Sequence, residues 1–248
     1  MLKDKYYSTE HYHWPMRRIM VIGHRGAMAH EPENSLSSFE TAIALGADMV
    51  ELDVRTTKDG EIVALHDEDI ARCTNGTGKV SKMSLAEIRA FRLKNHERVP
   101  TLRETLEKMN GRCQVNVHIK DAGAVLRSCG IVKEMKMMGD VIFTAFHGSW
   151  LIEIKSKCPH ARVACIAREK DANIVRAALS LGAEAIHPKS RITTKKMIDE
   201  AHKAGLKVNV WTVNFSWQMK KFIGWGADGI ITDKPDLMIR TLGKLGLR

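Results

Sequence analysis

Short apolar runs alternate with amphipathic stretches along the chain from Ile19 onward. Apolar residues recur with helical spacing around 35–46, 101–109, 122–138, 170–181, 193–204 and 216–225. Between these stretches lie short runs with the composition of strands. The runs are IMVIGH (19–24), MVELDV (49–54), EIVALH (61–66), VNVHIK (115–120), VIFTAF (141–146), RVACIA (162–167), EAIHP (184–188), KVNVWTV (207–213) and GIIT (229–232).

The ends of the predicted helices carry recognisable signals. Capping boxes begin at Ser84 and Thr101, each with a glutamate three residues later. Glycine follows several helical stretches, where a left-handed residue ends a helix. These glycines are Gly46, Gly182, Gly205 and Gly226.

Strand and helix alternate regularly enough to predict an α/β fold with a parallel sheet closed into a (β/α)8 TIM barrel. A length of 248 residues is typical of one such barrel. An open doubly wound sheet is the alternative. It is disfavoured because the first strand is followed by GHRGAMAH and not by the phosphate-binding G-x-G-x-x-G.

Nine strand candidates exceed the eight positions of the barrel, and residues 51–66 explain the excess. Only TTKDG separates two strands there, which is too short for a parallel crossover but suits a hairpin with its tip at Asp59-Gly60. Such a hairpin brings His66 opposite Leu52 or Asp53, give or take one position. Residues 67–100 then form a small insertion after the strand that carries His66. We expect a leader at 1–18 and a single barrel domain over 19–248.

Composition and charge restrict the partners. The net charge of +10 favours anionic partners, but lysine and arginine are spread along the whole chain without a nucleic-acid motif. The basic surface is therefore either simply solvated or attracts phosphate-bearing substrates or lipid headgroups, so peripheral membrane contact stays an open alternative. No signal-peptide core or membrane span is present, and five scattered cysteines indicate free thiols. We predict a cytoplasmic protein.

Two carboxylates stand on one face of the second strand. Glu51 and Asp53 are two residues apart, so they point the same way and repel each other unless a cation lies between them. Carboxylate oxygens suit hard divalent ions. The alternative is that Arg55, on the same face, neutralises the pair in a structural ion pair.

Further polar residues stand where the other strands end, which is where barrel active sites are built. His24 and His66 could form a base–acid pair, with one imidazole neutral and the other protonated near neutral pH. Arg25 offers a planar fork for phosphate, and Lys120 a point charge for the same anion. Together these groups predict metal-assisted cleavage of a phosphoester.

The motifs resemble those of the glycerophosphodiester phosphodiesterase family, in register from about residue 20 to 235. They are HRG (24–26), PENS (32–35), ELDV (51–54), KDG (58–60), LHD (65–67), TNGTG (74–78), PTL (100–102), WTVN (211–214) and DGIITDKP (228–235). The resemblance implies a (β/α)8 barrel with a small insertion. It also implies hydrolysis of small glycerophosphodiesters to sn-glycerol 3-phosphate and an alcohol, within lipid and glycerol metabolism, with one bound divalent cation, Mg²⁺ or Ca²⁺.

The resemblance also implies roles for individual residues. His24 and His66 would be the general base and general acid, and Glu51 and Asp53 would bind the metal. A set of three would contact the substrate: Arg25 and Lys120 at the phosphate and Trp211 along the pocket. In the mechanism that the family is thought to use, a glycerol hydroxyl attacks its own phosphorus, and water then opens the cyclic phosphate.

One position departs from the family pattern. In VNVHIK, Asn116, His118 and Lys120 share one face of the strand, and His118 stands where family members usually carry a metal-binding glutamate. Either His118 ligates the metal, or the metal rests weakly on two carboxylates, or the site no longer turns over. We favour ligation. An imidazole makes the site less negative and softer, which favours Mn²⁺, Co²⁺ or Zn²⁺ over Ca²⁺.

Two other functions are compatible with these residues. A lysophospholipase D would need an apolar groove for an acyl chain. The insertion contains apolar residues that could line one: Ile70, Val80, Met83, Leu85 and Phe91. A non-catalytic barrel that binds a phosphate or a lipid headgroup is the second alternative. The retention of both histidines, Arg25 and Lys120 favours an enzyme.

Overall fold

A computed structural model of the chain describes residues 18–169 and 174–248. The described residues form nine strands and nine α-helices. The strands are β1 (Met20–Gly23), β2 (Met49–Thr56), β3 (Ile62–Ala64), β4 (Gln114–Ile119), β5 (Val141–Ala145), β6 (Arg162–Ala167), β7 (Ala185–Pro188), β8 (Lys207–Val210) and β9 (Gly229–Thr232). The helices are α1 (Leu36–Ala44), α2 (Leu85–Ile88), α3 (Leu102–Met109), α4 (Ala124–Glu134), α5 (Gly148–Lys157), α6 (Ile174–Ser180), α7 (Lys195–Lys203), α8 (Ser216–Gly224) and α9 (Pro235–Lys244).

Eight of the strands close into a parallel barrel. Strand β1 pairs with β9 on one side and with β2 on the other, and β4 to β9 complete the ring in chain order. The predicted (β/α)8 barrel is thus confirmed. In the register between β2 and β4, Glu51 lies level with Asn116, and Asp53 lies level with His118. This register brings both carboxylates beside the polar face of VNVHIK.

The ninth strand is the return arm of the predicted hairpin. Strand β3 runs antiparallel to β2, with Val54 opposite Ala64. Continued by two residues, that register places His66 level with Leu52, as the sequence predicts. The backbone N–H of Gly60 donates to the Thr57 carbonyl at the tip, where Gly60 has a φ of +84° that a glycine adopts without strain.

The alternation along β4 separates packing from chemistry. Val115, Val117 and Ile119 belong to the main core, which packs the outside of the barrel against the helices. Asn116 and His118 face the barrel interior and are also buried. A layer of apolar side chains closes the interior beneath them, formed by Ile22, Met49, Ile142, Ala164, Ala185 and Ile231. The layer that contains Asn116 and His118 therefore lies on apolar side chains, near the carboxyl ends of the strands.

The insertion at 67–100 has a small core of its own. It contains α2 and two 3-10 turns, Ile70–Arg72 and Val80–Lys82. Ile70 and Val80 are buried against residues of the hairpin, and a further three apolar residues pack on this cluster: Met83, Leu85 and Phe91. The apolar residues that could have lined an acyl-chain groove are therefore occupied in holding the insertion together.

Some predictions fall partly outside the described residues. The leader predicted at 1–18 does so except for Arg18, and so do residues 170–173 of the helix predicted at 170–181, whose described part is α6. The division into a leader and one domain therefore stays a prediction. Within the described ranges, the helices are all too short or too polar to cross a bilayer. The cytoplasmic location also stays a prediction.

The predicted helix signals are present in the structure. Ser84 and Thr101 each accept a hydrogen bond from the backbone N–H of the glutamate three residues on, and each glutamate bonds back to the cap. The four glycines that follow helices have φ values between +59° and +95°. Local sequence thus determines where these helices begin and end.

The Thr101 cap provides a test of this local control. We expect Thr101→Ala to lower the free energy of unfolding by about 1 kcal/mol, because the first turn of α3 loses a hydrogen-bond acceptor. Urea denaturation would measure the change. Thr101→Ser is the matched control, since it keeps the hydroxyl. Equal stability of the alanine and serine variants would contradict the assigned role.

Candidate active site

One cavity at the carboxyl ends of the barrel strands brings together all eight site residues predicted from the sequence. These are His24, Arg25, Glu51, Asp53, His66, His118, Lys120 and Trp211. The same cavity is lined by residues that the sequence analysis did not select, among them Phe146, Arg168 and His187. The predicted roles of the eight residues stay predictions, but their convergence is a fact of the fold.

The Asp53 carboxylate is fully buried at the centre of the cluster and is surrounded by basic side chains. Its oxygens lie 3.0 Å from Arg25 Nε, 3.0 Å from His118 Nδ1 and 3.5 Å from Lys120 Nζ. Asn34 bonds both to the carboxylate and to the Asp53 backbone N–H. Burial alone would raise the pKa of Asp53, but His118, Lys120 and Arg25 outweigh it and hold that pKa well below its usual range.

Glu51 completes a group of three candidate metal ligands. One of its oxygens accepts a hydrogen bond of 2.8 Å from the Arg25 backbone N–H, and the other lies 3.7 Å from His118 Nδ1. Ligand atoms of Glu51, Asp53 and His118 lie within 4.8 Å of one another, and all three residues are buried. Arg55 is engaged elsewhere, because its Nε donates to the His66 carbonyl. The alternative in which Arg55 neutralises the carboxylate pair therefore loses its support.

The HRG motif places Arg25 through an unusual backbone turn. Arg25 has a φ of +50° and Gly26 a φ of +85°. A Cβ atom on residue 26 would lie 2.6 Å from the carbonyl group of Ser38, whose oxygen accepts the Ala27 N–H. The Ser38 hydroxyl in turn donates to the Arg25 carbonyl. Only glycine allows helix α1 to approach this turn so closely.

His24 is oriented by an acid from the end of β9. Its Nδ1 lies 2.6 Å from Asp233 Oδ1, so Nδ1 donates to the carboxylate and Nε2 is left for other chemistry. Burial lowers the pKa of His24, but the hydrogen bond to Asp233 and the negative charge of Glu51 outweigh it. The pKa of His24 is therefore raised above 6.5.

His66 is oriented by the acid that follows it in the chain. Its Nδ1 lies 2.5 Å from Asp67 Oδ1. Burial lowers the pKa of His66, and the positive charges of Arg25 and Lys120 lower it further. The negative charge of Asp53 raises this pKa but does not offset the other effects. The pKa of His66 is therefore lowered below 6.5. The two histidines thus differ in the direction that an acid–base pair requires.

A charged network joins this histidine to the arginine of HRG. Arg72, in the insertion, pairs with Asp67 and holds Glu33 at 2.5 and 2.7 Å. Glu33 accepts a hydrogen bond of 2.8 Å from Arg25. The pairing with Arg72 lowers the pKa of Asp67 to about 2, so Asp67 is an ionised acceptor at neutral pH. Through Arg72, the insertion therefore fixes both Asp67, which holds His66, and Glu33, which holds Arg25.

His187 is a buried residue of the cavity wall that the sequence analysis did not select. It shares the inward face of β7 with Ala185, and its Nε2 lies 2.9 Å from Asn209 Nδ2. Burial, with a smaller effect of His118, lowers the pKa of His187 to about 3. The strand EAIHP carried the signal, because a histidine two residues after a buried alanine points into the barrel.

Residues 24–237 match the sequence profile of the Glycerophosphoryl diester phosphodiesterase family. The chain belongs to this family. The matched range contains all eight predicted site residues, so the resemblance seen in the motifs is confirmed from His24 to Leu237.

Relatives extend over almost the full chain. A Glycerophosphodiester phosphodiesterase of Caldanaerobacter subterraneus subsp. tengcongensis is 34% identical over 243 residues, covering 92% of this chain and 100% of the relative. A crystal structure of glycerophosphodiester phosphodiesterase from Thermotoga maritima is 28% identical with a TM-score of 0.80, covering 90% and 98%. A phosphodiesterase of Oleispira antarctica, solved with its product sn-glycerol-3-phosphate, is 23% identical with a TM-score of 0.85 over 91% and 97%, and shows the same fold.

The turn at HRG gives a test of how this family member builds its site. We expect Gly26→Ala to lower the free energy of unfolding by about 1–3 kcal/mol, because the added Cβ collides with Ser38 and the backbone conformation is costly for alanine. Thermal or urea unfolding would measure the loss. Gly139→Ala is the control, since nothing lies within 4 Å of a Cβ placed there. Equal free energies of unfolding for the two variants would show that helix α1 moves away from the added Cβ at little cost.

Proposed function

We propose that the chain hydrolyses glycerophosphodiesters to sn-glycerol 3-phosphate and an alcohol, with one divalent metal ion and a histidine pair. Family membership and the relative that is 34% identical support the reaction class. The observation that carries the proposal is the convergence in one cavity of two histidines, each held by its own aspartate, with the cluster of Glu51, Asp53 and His118.

The three clustered residues fit a metal ion. Two carboxylates and an imidazole are common ligands of divalent cations. His118 Nδ1 faces both carboxylates, and from this position its lone pair could bind a cation held between them. His118 Nε2 is buried without a hydrogen-bond partner in the described part of the chain. Held by Glu51, Asp53 and His118, a divalent ion would orient the attacking hydroxyl and offset charge on the phosphoryl oxygens.

Lys120 and Arg25 are the groups that would hold the phosphate. Burial lowers the pKa of Lys120 and outweighs the opposite effect of the Asp53 carboxylate. The Lys120 Nζ is buried without a hydrogen-bond partner among the described residues. The Arg25 Nη1 is engaged by Glu33. An entering phosphate would supply the hydrogen-bond partner that Lys120 lacks and a further contact for the Arg25 guanidinium, while Trp211 lines the pocket beside it.

The pKa directions support one assignment of the two histidines. The lowered pKa favours a neutral His66, which would accept a proton from the glycerol 2-hydroxyl as its oxygen attacks phosphorus. The raised pKa favours a protonated His24, which would donate to the departing oxygen as the bond to the head-group alcohol breaks. The order is the reverse of the one implied by the family resemblance. Water then opens the cyclic phosphate with both proton transfers reversed.

The assignment predicts a bell-shaped pH profile for kcat/KM, rising through a pKa below 6.5 and falling through one above it. We expect Asp233→Asn to move the alkaline limb to lower pH by about one unit, because the carboxylate that raises the pKa of His24 is lost.

Asp67→Asn is the matched variant at the other histidine. It should move the acid limb to lower pH, since Asp67 raises the pKa of His66, and it should leave the alkaline limb in place. Release of glycerol 3-phosphate across the pH range measures both limbs. A shift of the acid limb in Asp233→Asn would contradict the assignment and restore the opposite one.

His118 predicts an unusual metal preference. We expect metal-stripped protein to recover activity best with Mn²⁺, Co²⁺ or Zn²⁺, and His118→Glu to move the preference toward Ca²⁺ or Mg²⁺, because a carboxylate is the harder ligand. Glycerol 3-phosphate release with each ion and calorimetric titration of each ion would measure the preference.

His160→Glu, at an exposed histidine outside the cavity, is the control for the added negative charge. The same order of ions in the parent, the control and His118→Glu would mean that the metal rests on the two carboxylates alone. Activity in His118→Glu but not in the parent with any ion would mean that the histidine disables the site.

A further inference from the structure

The wall of the cavity has two chemically different halves. The ionisable groups that would act on the phosphate come from β1, β2, β4 and the hairpin. The opposite half comes from β5 to β8 and contributes Phe146, Arg168, His187 and Trp211. His187 is neutral because burial lowers its pKa to about 3. Of these four residues, Arg168 carries a permanent charge, and it is exposed at the end of β6.

The aromatic faces on this half are already covered by cations of the protein. The Arg168 guanidinium carbon lies 3.9 Å from the centre of the Phe146 ring, and Lys120 Nζ lies 5.7 Å from the same ring. Lys189 Nζ lies 5.7 Å from the Trp211 ring. A quaternary ammonium is recognised by free aromatic faces. A choline head group would meet occupied rings and like charges here.

The neighbouring loops add positive charge at the mouth of the cavity. Arg191 follows β7 and donates to the backbone carbonyl of Arg168 at 3.3 Å, so a second exposed arginine is held against the segment that carries Arg168. The described residues that directly follow β6 and β7 include three cationic side chains, Arg168, Lys189 and Arg191, and one carboxylate, Glu169. The local excess has the same sign as the net charge of +10.

The head-group alcohol of a substrate would have to lie at this mouth. Glu51 and Asp53 are buried within the cavity, whereas Arg168 is exposed on its wall. The glycerol hydroxyl must approach phosphorus beside the buried Glu51 and Asp53. Because the attacking and leaving oxygens lie on opposite sides of phosphorus, the departing alcohol points away from those carboxylates, toward the exposed Arg168.

We propose that Arg168, supported by Lys189 and Arg191, selects glycerophosphodiesters whose leaving alcohol carries a second, negatively charged phosphate. This inference rests on the proposed function and names its substrate class. A guanidinium presents a planar fork to a phosphate, and the Phe146 ring on which it lies keeps that fork oriented. Cationic head groups such as choline are correspondingly disfavoured.

Three substrates test the selection with the metal-supplied full chain. They are glycerophosphocholine, glycerophosphoglycerol and bis(glycerophospho)glycerol, in which the leaving alcohol is cationic, neutral or anionic. We expect kcat/KM for the anionic substrate to exceed that for the neutral one by about ten-fold, well beyond the factor of two from its two equivalent bonds. The choline substrate should be the poorest, and added salt should compress the differences.

The variants assign the effect to one side chain. Arg168→Gln should reduce the ratio of anionic to neutral kcat/KM to about two, whereas Arg168→Lys should keep part of it. Arg176→Gln is the matched control, because it removes the same charge from an exposed position on α6. It should leave the ratio unchanged.

The outcomes separate this inference from the function on which it rests. Glycerol 3-phosphate release with equal kcat/KM for neutral and anionic substrates, or with choline preferred, would overturn the selection while leaving the proposed function in place. An unchanged ratio in Arg168→Gln would also overturn it. Absence of glycerol 3-phosphate from all three substrates would remove the proposed function and this inference together.

Discussion

The site depends on one buried charge, the carboxylate of Asp53. A charge enclosed in a barrel is costly unless other groups compensate it, and here the compensation comes from separate parts of the chain. Arg25 arrives from the end of β1, Asn34 from the segment before α1, and His118 and Lys120 from β4. Each of these elements is tied to β2 through the same side chain. The fold and the candidate chemistry therefore share a single electrostatic constraint.

His118 changes the balance around that charge. A glutamate on β4 would place a third carboxylate beside Asp53 and Glu51, whereas the imidazole places a nitrogen 3.0 Å from Asp53 and 3.7 Å from Glu51. With His118, Lys120 and Arg25 in contact, Asp53 stays ionised without a metal ion. Asp53 can therefore fold in its charged form and, together with Glu51, present ligands to a cation that arrives later.

Local and periodic signals were enough to predict the barrel, the hairpin and the convergence of seven residues, to which the family resemblance added Trp211. The register around Asp59-Gly60 located His66 because alternation and turn length are properties of the nearby sequence. Contacts between distant side chains were not accessible in this way. Asp233 meets His24 across 209 positions, and Arg72 meets Glu33 across 39. Nothing in their spacing distinguishes them from surface charges, and only the closed barrel brings them together.

These distant contacts set the protonation of the two histidines independently. Asp233 reaches His24 from β9, while Asp67 holds His66 from the insertion and is itself fixed by Arg72. A bonded aspartate raises the pKa of each histidine but does not decide the outcome, since both rings have one and the pKa values move in opposite directions. Burial lowers both pKa values, and the surrounding charges then separate them. Glu51 adds to Asp233 at His24, whereas Arg25 and Lys120 oppose the attraction of Asp53 at His66. The groups that would hold the phosphate thus add to the effect of burial in lowering the pKa of His66, which links substrate binding to the availability of a base.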